Sequence, residues 1–320
     1  MEEISITEVG GFLIGQTEDA AAGTGCTVVL AKDGMRAGLD VRGGGPASRE
    51  SELLSPLASA EVIHAAVLGG GSAFGLDAAG GVMRCLEENG IGFDVGVTKV
   101  PLVCQADLFD LTVGDPNTRP DAAMGRAAAE AALAGGNYRD GNFGAGCGAT
   151  VGKWRGMEYC MKSGIGSYAA RIGELRVGAL VAVNALGDVF DWRTGQKIAG
   201  LLAEDRHSFA DTEELMFRRT EAVENKFTGN TTIGCVLTNA AFGKARLCKI
   251  AGMAQDGMAR AIRPVHTSAD GDSLFALSAG DLRADMDVVG TLAARCVSEA
   301  IRRAVYAAES AYGFPSAKDL

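Results

Sequence analysis

The sequence predicts a layered domain of mixed α and β structure. Apolar β-type runs and helical stretches alternate along all 320 residues, the pattern of a layered α/β or α+β domain. Hydrophobic residues make up 47% of the chain and charged residues 22%, enough to bury a sizeable core. Glycine accounts for 45 residues and proline for only 7, without a repeat period. That composition suits tight turns and close backbone approaches around packed sheets, not a collagen or a disordered linker.

Residues 1–50 read as β-rich. Apolar runs at 10–15 and 27–30 are punctuated by glycine, and Asp33-Gly34 fits a hairpin turn between residues 28–30 and 37–41. Arg42 and Arg49 flank a Gly-rich loop that reads as solvated. Residues 60–67 are a short apolar helix or strand. The glycine run at 69–75 invites a phosphate-loop reading, which fails. A GxGxxG starting at Gly69 would need glycine where Phe74 stands, and no GxxxxGK[ST] exists, since counting back from Gly152-Lys153 reaches Cys147. Ser72 is instead expected to cap a helix running to about Glu88 and closed by Asn89-Gly90. Phe74, Ala78, Val82, Cys85 and Leu86 would mark its buried side.

Asp121 caps an Ala-rich helix over 121–133 that ends at Gly135-Gly136. Small residues crowd 144–150, ahead of Val151, which points to backbone packed close to a neighbour. Residues 177–183 form an apolar strand ending at Asn184. The most charged part of the chain, 201–230, reads as an exposed, mobile linker. A helix follows over 240–262, a strand over 273–278, and a final helix over 287–308. In that last helix Val289, Leu292, Ala293, Cys296, Ala300, Ile301, Ala304 and Val305 form a core-facing stripe.

Bulk chemistry narrows the function. The net charge is −10, which argues against nucleic acid and gives no attraction to an anionic membrane surface. No apolar run reaches the ~20 residues of a membrane span. The acidic start Met1-Glu2-Glu3 does not resemble a signal peptide, so a cytoplasmic protein is expected. The eight cysteines are scattered without CxxC, as buried reduced thiols would be. No His/Cys/Asp grouping has metal-ligand spacing, so neither metal nor cofactor is expected.

The chemistry concentrates at residues 228–239. A turn-prone run ends at Asn230, and Thr231-Thr232 opens an apolar strand. A threonine hydroxyl can attack the preceding carbonyl, shift the acyl group to oxygen and let water cut the chain. Thr231 would then carry a free α-amine, with an ordinary pKa of roughly 7.7–8.0, beside its own hydroxyl. That pairing is a known way to activate a weak nucleophile. Further on, Asp270-Gly271-Asp272 places two carboxylates one residue apart just before another strand. By themselves they read as a solvated turn. Nearby His266 is expected to position this loop, not to act as the base.

Asn230-Thr231-Thr232-Ile233-Gly234 and the segment from Arg263 to Leu277 together resemble the P1 peptidase family, which includes DmpA-like L-aminopeptidase/D-esterases, β-aminopeptidases and nylon-oligomer hydrolases. Similar segments include Thr24-Gly25-Cys26-Thr27, Gly70-Gly71-Ser72-Ala73-Phe74-Gly75 and Gly144-Ala145-Gly146-Cys147, so the resemblance covers nearly the whole chain. It implies one αββα sandwich over 1–320, of the DmpA/ornithine-acetyltransferase kind, and self-cleavage between Asn230 and Thr231 into pieces 1–230 and 231–320. Thr231 would be the nucleophile of an N-terminal-nucleophile hydrolase acting on short peptides or amides. Asp270 and Asp272 would form a relay beside its amine, Asn184 would donate to the oxyanion, and Lys153 would tune the field of the site. The resemblance also places the 42–49 loop near the active site and implies a homotetramer.

Two departures matter. The chain follows the Thr/Asp/Asp branch, whereas some relatives use serine as nucleophile and as the first relay residue. The nylon hydrolases carry a tyrosine hydroxyl where Phe109 is placed here, which favours aminopeptidase activity over oligomer cleavage. An acyltransferase of the ornithine-acetyltransferase kind, or an unprocessed non-catalytic relative, are the alternatives.

Overall fold

The computed structural model describes residues 1–219 and 229–320. Its principal elements in chain order are β1 (Leu13–Asp19), β2 (Thr24–Val41), β3 (Ile63–Gly69), α1 (Ala78–Glu88), β4 (Val103–Asp107), α2 (Ala122–Leu133), β5 (Ile165–Ile172), β6 (Leu175–Asn184), β7 (Thr231–Ala240), α3 (Lys244–Ala261), β8 (Ser273–Leu282) and α4 (Met286–Ala307).

Two sheets share one long strand. The first half of β2 pairs with β1 and β3, and β3 runs parallel to β4. The second half of β2 pairs with β8, which continues through β7 and β6 to β5. Three apolar cores follow from this arrangement. One packs α3 and α4 on the β5–β8 sheet, a second lies between the sheets, and a third packs α1 and α2 on the β1–β3 side. Three cores separate four layers, so the αββα sandwich is what the chain adopts. The long strand departs from the expected hairpin at Asp33-Gly34. The segments on either side of Gly34 do not pair with each other: pairing with β3 ends at Met35, and pairing with β8 runs from Arg36 to Val41. Gly34 takes φ +81°, a bend open to glycine, and the strand passes from one sheet to the next.

The helices at 121–133 and 287–308 form where expected, capped by Asp121 and Asp285. Ser72 does not cap α1. It sits at φ +55° at the start of a 3-10 turn, Ser72–Asp77, and α1 begins only at Ala78. Phe74 is therefore outside the helix face and 59% exposed, beneath the Arg119 guanidinium. The expected linker is also folded over its first part. Leu201 and Leu202 are buried, and Thr212 is held by Asp188 through its N–H (3.0 Å) and hydroxyl (2.9 Å). Asp188 also pairs with Lys197 at 2.6 Å. A carboxylate with that many donors can be buried without penalty for unmade bonds, and it pins a segment that charge content alone marks as mobile. The remainder of that segment, 220–228, lies outside the described residues. All eight cysteines are free thiols, seven of them buried. No helix among the described residues is long and apolar enough to cross a membrane.

Candidate active site

Strand direction assembles the site. β7 and β8 are parallel, so Thr231 and Asp272 sit at the same edge of the sheet. β6 is antiparallel to β7, and its last residue, Asn184, pairs directly with Thr231. An isolated parallel bridge joins Asn230 to Asp270. Asn184, Asn230, Thr231, Asp270 and Asp272 thus converge from three chain segments, and all are almost fully buried.

The Thr231 hydroxyl donates to the carbonyl of Asn230, the group it would have to attack. The same carbonyl accepts the Gly271 N–H at 3.0 Å. A Cβ on Gly271 would lie 2.9 Å from the Thr231 hydroxyl oxygen, so this glycine leaves the nucleophile its space. One residue upstream, the Gly229 carbonyl accepts from Lys153 Nζ (2.8 Å) and from Asn184 Nδ2 (3.3 Å).

Lys153 also donates to Asn184 Oδ1 at 2.6 Å and to its main-chain carbonyl at 3.1 Å. Three acceptors match the three N–H groups of an ammonium. Burial lowers the Lys153 pKa to about 8, while Cys160, Asp270 and Asp110 act in the opposite direction. Asn184 is oriented by this contact. Its Oδ1 takes Lys153 and the Thr150 N–H (3.0 Å), which turns Nδ2 toward the carbonyls of Phe109 (2.8 Å) and Gly229. The Phe109 ring packs on Gly229 so closely that a Cβ there would overlap it.

The acidic turn is held as firmly. Asp270 Oδ2 accepts the Thr267 N–H (2.8 Å) and hydroxyl (2.5 Å). Asp272 Oδ1 accepts the Thr232 N–H at 2.7 Å, and Oδ2 takes the N–H and Nδ1 of His266. Burial and the Asp272 charge raise Asp270 to about 6, as two close carboxylates should. The Gly-rich loop backs this turn: Arg42 N–H donates to the Asp272 carbonyl (3.0 Å) and Gly45 N–H to that of Asp270 (2.9 Å). A Cβ at Gly43 would collide with the Asp272 nitrogen and the Asp270 carbonyl. The arginine side chains point elsewhere, Arg42 to Asp40 and Arg49 to the Leu76 carbonyl.

Three further features shape this region. The backbone N–H of Gly271 and the ring of Phe109 against Gly229 are visible only in three dimensions. Asp107 and Asp110 flank Phe109 and are both buried, which raises both carboxyls, Asp110 to about 6. Their signal in the sequence is two acids inside an apolar run.

Comparison with known proteins gives the family and the fold of the chain. The sequence profile described as peptidase family S58 matches residues 5–318. A Mycobacterium leprae protein described as an uncharacterized aminopeptidase is 38% identical over 342 residues, covering 98% of this chain and 92% of the relative. A 6-aminohexanoate-oligomer endohydrolase from Agromyces is 32% identical over 278 residues, covering 85% of this chain and 74% of the relative. Among solved structures, a Burkholderia β-aminopeptidase superposes with a TM-score of 0.66 at 19% identity over 97% of this chain and 88% of its own. The L-aminopeptidase D-Ala-esterase/amidase of Ochrobactrum anthropi, described as a variant of the Ntn hydrolase fold, gives 0.66 at 17% identity over 95% and 86%.

Proposed function

The chain belongs to peptidase family S58 and is a hydrolase of the aminopeptidase and amidohydrolase kind, and we propose that it is a self-processing enzyme with Thr231 as its N-terminal nucleophile. The observation that carries this is the hydroxyl of Thr231 lying on the Asn230 carbonyl while the Gly271 N–H holds the same oxygen.

In the uncut chain Thr231 Oγ adds to the Asn230 carbonyl carbon and its proton passes to the acidic turn. Negative charge builds on the Asn230 oxygen, where the Gly271 N–H stabilises it. The C–N bond breaks, the Thr231 nitrogen takes a proton, and water hydrolyses the ester. Asn230 then ends one chain as a carboxylate and Thr231 begins the other with a free amine.

In turnover the same hydroxyl attacks the carbonyl of a short peptide or amino-acid amide. The α-amine of Thr231 accepts the proton and passes it to the leaving amine. The ionised form of the Asp270/Asp272 pair stabilises the ammonium formed in between. Asn184 Nδ2 donates to the oxyanion, and the buried charge of Lys153 strengthens that donor in a water-poor site. Water, activated by the amine, releases the acyl product. Phe109 has no hydroxyl to add, which favours small amides over nylon-type oligomers.

Intact-mass spectrometry of the purified wild type beside Thr231→Ala tests the reading. Two pieces split between Asn230 and Thr231 are expected in the wild type and one 320-residue chain in the variant, with p-nitroanilide hydrolysis only in the former. An uncut wild type without amidase activity would overturn it.

A further inference from the structure

We infer that His266 is a positioning residue that fixes Asp272, and through it the Thr231–Thr232 backbone, for both cleavage and turnover. The inference rests on the functional reading above. His266 spends two donors on one oxygen: its main-chain N–H (3.1 Å) and its ring Nδ1 (2.8 Å) both meet Asp272 Oδ2. With Nδ1 carrying the proton, that oxygen is saturated and the carboxylate cannot rotate. Its other oxygen is thereby aimed at the Thr232 N–H, 2.7 Å away. A rigid line thus runs from the imidazole through the carboxylate to the residue that follows the nucleophile.

The rest of the ring agrees with a role in holding, not in proton transfer. Nε2 is buried and meets no hydrogen-bond partner among the described residues. An imidazole used as acid or base toward substrate would need that nitrogen in the cleft or on a second partner. The backbone bears a cost for this placement. His266 adopts φ +57°, a left-handed conformation uncommon for side-chain-bearing residues and tolerated best by Gly, Asn, Asp and His. Sparsely populated conformations persist where the surroundings over-determine them, and here the over-determining contact is the one to Asp272.

The conformation also supplies a clean test. His266→Gly accepts the left-handed backbone but deletes the imidazole. His266→Asn accepts it too, and places an amide N–H where Nδ1 stands. Each chain is made by cell-free translation and sampled over time by intact mass, and the purified proteins are assayed for kcat and KM on L-alanine p-nitroanilide. His266→Gly should slow cleavage and lower kcat by roughly tenfold to a hundredfold, the scale of loss when reacting groups are misplaced, with KM within about twofold of wild type. His266→Asn should recover both rates to within roughly threefold, as a restored charge-assisted hydrogen bond should. If the residue serves only to accommodate the backbone, His266→Gly will match the wild type and the inference falls. It falls equally if Asn and Gly are impaired alike with unchanged thermal unfolding midpoints. A wild type that remains uncut overturns the functional reading itself, whereas a processed wild type with an unaffected Gly variant overturns only the role of His266.

Discussion

Lys153 Nζ meets Asn184 twice, at the side-chain oxygen (2.6 Å) and at the main-chain carbonyl (3.1 Å). One ammonium thereby sets the direction in which the Asn184 amide donates. The two side chains act as a unit, and their removal should not be additive. Lys153→Met and Asn184→Leu should each lower kcat by about 10²–10³, the scale of one oxyanion donor, and the double variant should fall little further. Single-turnover kinetics on an amino-acid p-nitroanilide measure this.

The pH dependence of cleavage should be bell-shaped. In the uncut chain the Thr231 nitrogen is an amide, so its amine does not contribute. The rate should rise as Asp270 ionises near pH 6 and fall as Lys153, which holds the Gly229 carbonyl beside the bond to be cut, loses its charge above about pH 8. Cleavage time courses between pH 4 and 10 check both limbs.

Asp270 also links pH to stability. Its folded pKa is raised, so the native chain binds more protons than the unfolded chain between about pH 4 and pH 6, and stability falls as pH rises through that window. Asp270→Asn removes the dependence. The difference in unfolding midpoint, variant minus wild type, should therefore grow from pH 4 to 6 and stay level above it. The comparison is made on uncut chains, with Thr231→Ala as the common background.

Gly229→Ala should stop processing without unfolding the protein. The added methyl overlaps the Phe109 ring, and φ at this position is +73°, where alanine is strained. Intact mass should show a single chain after a time in which the wild type is fully cut, with circular dichroism unchanged.

Phe109→Tyr adds a hydroxyl at the ring that packs on Gly229. If that hydroxyl is the donor missing from this chain, hydrolysis of 6-aminohexanoate oligomers should rise by roughly tenfold, as expected for one added oxyanion donor of modest geometry. Chromatography of the released monomer reads the outcome.

Individual strands and helices are legible because apolar runs and helix caps are local signals, whereas the αββα layering follows only from the family resemblance. Asp121 and the stripe from Val289 to Val305 marked their helices through 3.6-residue spacing and a side-chain cap. The hairpin at Asp33-Gly34 was not legible, because a glycine that turns a chain back and one that lets a strand change sheets look alike until the pairing partners are known. Ser72 misled for a similar reason: a serine before a helix is a good cap only when its own φ is extended. At the site, Thr231 at the mouth of a strand and the acid pair before the next one are ordinary turn chemistry taken alone, and only their order along the chain, in its resemblance to a known family, singles them out. Lys153 and Asn184 enter the same way, since a single lysine after a glycine run carries no local signal of burial. Their contact joins positions 31 apart in sequence, beyond the reach of any local pattern.

The position of β7 and β8 has a consequence for how the processed molecule comes apart. With the proposed cut both would belong to the 231–320 piece, yet they lie in the middle of a sheet, between β6 and β2 of the other piece. Cutting the chain turns a folding reaction into an association. The processed protein should unfold at a temperature that rises with its concentration, as two-chain assemblies do, whereas the uncut Thr231→Ala chain should show a midpoint independent of concentration. Once separated, the pieces would have to find each other by diffusion, each exposing an open sheet edge, so unfolding of the mature enzyme should be far harder to reverse than unfolding of its precursor.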